Sequence, residues 1–113
     1  MEIMNLPRGY GKTINIIIEA VKTGYPIITV SNTMKRRIER HAEEIINQKI
    51  TVYTVAEFLD DDFWCDKIDK KPEHVLIDEL PFVLEELLGA KCEMATMTSK
   101  SLEEYYGHRD WDK

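Results

Sequence analysis

The sequence predicts an α/β fold in three layers, α-β-α, with a mostly parallel sheet of about five strands between helices. Three observations lead there. Short β-branched runs without polar alternation, such as residues 25–30 and 75–77, read as strands buried on both faces. Segments with helical apolar spacing separate them, which is the pattern of crossover connections between parallel strands. The 113 residues suffice for one domain with a real core, residues 1–113, and are too few for two.

The elements follow in order. Residues 3–6 form a short strand, and residues 12–23 a helix whose near-continuous apolar face, Ile14, Ile16, Ile17, Ile18, Ala20 and Val21, suggests burial against the sheet. Gly24 ends that helix. Residues 25–30 are the next strand, and Ser31-Asn32-Thr33 offers capping chemistry to a second helix reaching about Gln48. Residues 50–54 are a strand and 55–59 a short helical turn. The acidic, aromatic stretch 60–72 reads as a loop or insertion. Residues 74–79 form a strand ending in two carboxylates, Asp78 and Glu79; a helix follows from Pro81 to about Leu88, closed by Gly89. Residues 92–97 read as a last strand and 99–106 as a final helix or turn.

A composition of 43% hydrophobic and 32% charged residues is that of a folded globular chain. No apolar run approaches the roughly 18 residues of a membrane span, and the N-terminus lacks the basic and small-residue features of a signal peptide, so a cytoplasmic location without membrane partners is expected. Cys65 and Cys92 have no spacing suited to zinc and read as free thiols. The net charge of −6 argues against binding nucleic acid over the whole surface. The basic cluster Lys35, Arg36, Arg37, Arg40 and His41 shares its segment with Glu39, Glu43 and Glu44 and reads as a solvated helix face with side-chain pairs.

Two motifs carry chemistry. Pro7-Arg8-Gly9-Tyr10-Gly11-Lys12-Thr13 lies between a strand and a helix. Gly9 and Gly11 permit a curled backbone whose N–H groups face a phosphate, Lys12 adds a mobile positive charge, and Thr13 offers a hydroxyl to magnesium. At average residue usage, G-x-G-K-[S/T] arises by chance in only about half a percent of chains this short. Asp78-Glu79 closes a buried strand, where the C-terminal ends of strands gather in one crevice. There Asp78 suits magnesium and Glu79 the orientation or deprotonation of a water. Taken alone, Asp78 could equally cap the helix that follows.

Together these motifs resemble the additional-strand (RecA-like) class of P-loop NTPases, closest to the first motor domain of superfamily-two-type helicases and to phage terminase ATPases. Pro7 to Thr13 is similar to their P-R-G-x-G-K-[S/T] or P-T-G-x-G-K-T loop, and Val75-Leu76-Ile77-Asp78-Glu79 to their Walker B strand. Ala95-Thr96-Met97-Thr98 stands where they place a coupling motif, a looser match, and residues 50–54 are faintly similar to a helicase strand leading to a nucleic-acid-contacting threonine. Leu6 replaces the first glycine of the full loop pattern. The resemblance implies ATP and Mg as cofactors, Pro7, Arg8, Gly9, Tyr10, Gly11, Lys12 and Thr13 around the nucleotide, Thr13 and Asp78 at the metal, and Glu79, Lys12 and Arg8 in catalysis. It also implies slow ATP hydrolysis in a phage or mobile-element factor for DNA metabolism.

In 113 residues neither a second motor domain nor a nuclease domain is expected, so processive unwinding by one copy is not expected. An arginine finger would have to come from a protein partner or a second copy, with Arg36, Arg37, Arg40 and Arg109 as candidates. The alternative is a P-loop scaffold acting as a protein-binding module or inhibitor with little turnover. The acidic Asp60-Asp61-Asp62 surface favours it. A small-molecule kinase fits less well, because Asp78-Glu79 suits activation of water.

Overall fold

The computed structural model describes residues 3–4, 11–65, 67 and 70–97. Its centre is a three-stranded parallel sheet in the order β2-β1-β3, with β1 Ile27–Thr29, β2 Val52–Thr54 and β3 Leu76–Ile77. Helix α1, Lys12–Thr23, precedes β1, and α2, Asn32–His41, links β1 to β2. Two short helices, α3 Val55–Leu59 and α4 Asp61–Cys65, lie between β2 and β3, and α5, Leu80–Leu88, follows β3.

Strand parity divides the core. Ile27 and Val52 are paired in register and point to the face covered by α1 and α2, where they pack with Ile17, Ala20, Ile38 and Ala42. Ile28 points to the other face and packs with Val55 of α3 and Val83 of α5. An apolar cavity of about 200 Å³ lies on that second face, between Phe58, Leu59, Ile77 and Leu87. Burial on both faces explains why these strands lack alternation.

Local chemistry sets the element ends. Gly24 and Gly89 close α1 and α5 at φ 78° and 65°, a left-handed conformation that costs glycine nothing. Ser31 caps α2 by accepting a hydrogen bond from the Met34 N–H at 3.3 Å. Thr54 and Glu57 form a reciprocal capping box on α3.

Several expectations need correction. The described sheet has three strands, fewer than the five expected. Residues 92–97 are exposed and in no strand, as are Ile3 and Met4. Residues 61–65 form α4 where a loop was expected, because Asp60 Oδ1 accepts from the Asp62 N–H and the Trp64 indole donates to the Phe58 carbonyl. The second helix stops being α-helical at His41 and continues as a π-helical turn, Ala42–Ile46. On α1 only Ile17 and Ala20 are buried; Ile14, Ile18 and Val21 face outward. Lys35 pairs with Glu57 of α3 at 3.0 Å, which ties α2 to its neighbour. Cys65 and Cys92 are free and exposed. Among the described residues no helix is long and apolar enough to cross a membrane.

Candidate functional site

Among the described residues no side chain closes the N-terminus of α1. Gly11 precedes it at φ 79°, no side chain caps its first N–H groups, and no acidic residue stands in its first turn. The positive end of a twelve-residue helix without a side-chain cap favours an anion. Lys12 and Thr13 occupy that first turn, both half-buried.

Across from this end, β3 delivers Asp78 and Glu79. The Asp78 N–H donates to the Ile28 carbonyl at 3.0 Å, which extends the β1–β3 pairing by one residue and fixes Asp78 beside Thr29. Glu79 then turns sharply, with φ 62° and ψ 65°, before α5 begins. A non-glycine residue in that conformation carries strain of order 1–3 kcal/mol. The turn aims the Glu79 carboxylate at α1, where Oε1 lies 3.1 Å from the Lys12 Nζ. Residues far apart in the sequence thus meet at one point. Neither Asp78 nor Glu79 caps α5 through its side chain, so the capping alternative for Asp78 is not realised.

Asp78 is 4% exposed, and its Oδ2 has no hydrogen-bond partner. Burial pushes its carboxyl above the usual range, the Glu79 charge pushes it further, and Lys12 opposes both. A buried carboxylate oxygen with no partner is costly unless something positive or hydrogen-bonding meets it. Sequence reasoning missed its neighbour. Thr29, fully buried, also leaves its Oγ1 without a partner. Threonine ending a β-branched strand looks like ordinary strand sequence, so only the register makes it visible.

Pro7, Arg8, Gly9 and Tyr10 lie outside the described residues, as do Leu6, Thr98 and Arg109 and the final helix expected over 99–106. Arg36, Arg37 and Arg40 are exposed on α2. Among the described residues there is no cluster of three or more His, Cys, Asp or Glu side chains able to hold a metal ion by themselves. The apolar cavity lies on the opposite face of the sheet from Asp78, to judge by strand parity, and takes no part in this site. No protein-family model, curated protein or solved structure matches the chain.

Proposed function

We propose that this chain binds ATP with magnesium and hydrolyses it slowly, the phosphates lying at the N-terminus of α1. The reading rests on one observation above others: Lys12 and Glu79, each singled out by a different motif, meet at 3.1 Å. The unpartnered Asp78 Oδ2 beside them fits a cation held mainly by phosphate oxygens, which needs few protein ligands. Thr13 and Asp78 would hold the magnesium, which when bound would neutralise developing charge on the phosphates.

The chain's own residues carry the rest. In the resting site Glu79 neutralises Lys12. An arriving triphosphate competes for the lysine, leaving the Glu79 carboxylate free to face a water. That water attacks the γ-phosphorus, its proton passes to Glu79, and the bond to the β-phosphate oxygen breaks to release ADP and phosphate. Arg8 stands in the same loop motif and is assigned to the γ-phosphate by resemblance. A finger in trans from a partner or second copy would add positive charge at the γ-phosphate.

The finer fold belongs to this reading: a three-layer P-loop core whose sheet gains strands beyond β3. Supporting it, the apolar stripe Ile14, Ile18 and Val21 of α1 faces outward with nothing described beneath it, and β3 is an edge.

The test measures nucleotide binding and phosphate release for wild type, Lys12→Ala and Glu79→Gln. Lys12→Ala should weaken binding by about 10- to 100-fold, the worth of one charged hydrogen bond. Glu79→Gln should retain binding and lose about 10²-fold or more in turnover. Absence of nucleotide binding by wild type in magnesium would refute the proposal. Binding without turnover, even with DNA or a protein partner added, would favour the binding-module alternative.

A further inference from the structure

The side chains at the C-terminal ends of the three strands form a row on the face covered by α1 and α2. Thr54 and Thr29 are paired in register, and Asp78 continues the row by one residue past the Ile28–Ile77 pair. All three are buried, at 4%, 0% and 4% exposure. Thr54 spends its hydroxyl on the Glu57 N–H at 3.1 Å. Thr29 Oγ1 and Asp78 Oδ2 have no partner, although they project from neighbouring strands to the same side. Two buried polar atoms on the same face of neighbouring strands, each without a partner, can both be satisfied by one bridging water.

We infer that Thr29 Oγ1 and Asp78 Oδ2 jointly hold a water of the magnesium hydration shell, making Thr29 a cation-positioning residue of the nucleotide site. The inference rests on the function proposed above and adds to it a residue that neither motif contains. Magnesium gives up its waters reluctantly and is commonly held through them. A hydroxyl beside the carboxylate completes the water's hydrogen bonds and fixes the direction in which the carboxylate faces the ion. Thr29 sits on the central strand, paired on both sides, so its hydroxyl is carried by a rigid element.

The experiment compares wild type, Thr29→Val and Thr29→Ser in the full chain. Nucleotide affinity is measured with EDTA and across a magnesium series, Mn2+ binding to the nucleotide complex is followed by electron paramagnetic resonance, and melting temperature is recorded. Valine keeps the shape and removes the hydroxyl; it should weaken the apparent cation affinity about tenfold, leave cation-free nucleotide affinity unchanged and raise the melting temperature. Serine should restore the cation affinity. A purely structural threonine would move the melting temperature and not the cation series. Equal magnesium and manganese dependence in wild type and Thr29→Val would overturn the role of Thr29 while leaving the ATP-binding proposal standing. Failure of wild type to bind nucleotide at all would overturn both.

Discussion

Asp78 holds an arrangement that is costly in the free protein. Its carboxyl is raised from the ordinary 3.8 by burial first and by Glu79 second, with Lys12 only partly offsetting them. A carboxyl raised on folding binds its proton more tightly in the folded chain than in the unfolded one. Stability therefore falls as pH rises from about that ordinary value through the raised one, and the cost persists at neutral pH. Asp78→Asn should raise the melting temperature at pH 7 and flatten this part of the profile, as followed by circular dichroism between pH 3 and 8. Parallel wild-type and mutant profiles would contradict the assignment. Glu57 behaves in the opposite sense: burial would raise it, but the Thr54 N–H and Lys35 outweigh that and lower it. Its contribution is present above its ordinary 4.5 and is lost as pH falls through the lowered value. At this scale residue type and position in a motif singled out Lys12, Asp78 and Glu79, which the fold brings together. The sequence was silent about Thr29, whose meaning comes only from the strand beside it, and about the left-handed turn at Glu79, which carries no glycine to mark it.

Among the elements, α3 depends most on a single residue. Thr54 accepts from the Glu57 N–H, Glu57 returns a bond to the Thr54 N–H at 2.9 Å, and the same carboxylate receives Lys35 from α2. Three elements, β2, α2 and α3, thus converge on one cap. Thr54→Ala should destabilise by about 1–2 kcal/mol in urea denaturation, near the upper range for a cap because the freed N–H is partly buried. A change within about 0.5 kcal/mol would mean that the Lys35–Glu57 pair holds α3 without the hydroxyl. Helix ends were legible because Gly24, Ser31 and Gly89 act on their immediate neighbours. By contrast, α4 depends on tertiary contact: Trp64 meets Tyr53, Phe58 and Phe63 edge to face at 5.0, 5.8 and 5.1 Å, and three of those rings lie within the stretch that read as a loop or just before it. Strand lengths were overestimated for a related reason, since ladder pairing lasts only as long as a neighbour does.

Across the whole molecule, the handedness of the connections says where any further strand of the proposed core would belong. From β1 the chain crosses by α2, on the first face, to β2; from β2 it crosses by α3, on the opposite face, back past β1 to β3. Both steps therefore have the same hand, as parallel crossovers almost always do. Helix α5 lies on the second face with α3, so a strand following it falls beyond β3, and 92–97 is the stretch that follows. Leu76 and Asp78 spend their N–H groups on β1, which by strand alternation turns that of Ile77 outward. Met94, at 86% exposure, and Met97 would gain cover by docking there beneath α1. Hydrogen exchange on the full chain with ATP and magnesium should accordingly protect the amide of Ile77 together with alternate amides in 92–97. Protection of 92–97 without Ile77 would indicate docking elsewhere, and fast exchange at both would make β3 the true edge of the sheet. In the first case Asp78 and Glu79 follow a strand held on both sides; in the last they follow an edge strand, a less rigid support for the water-orienting role proposed for Glu79.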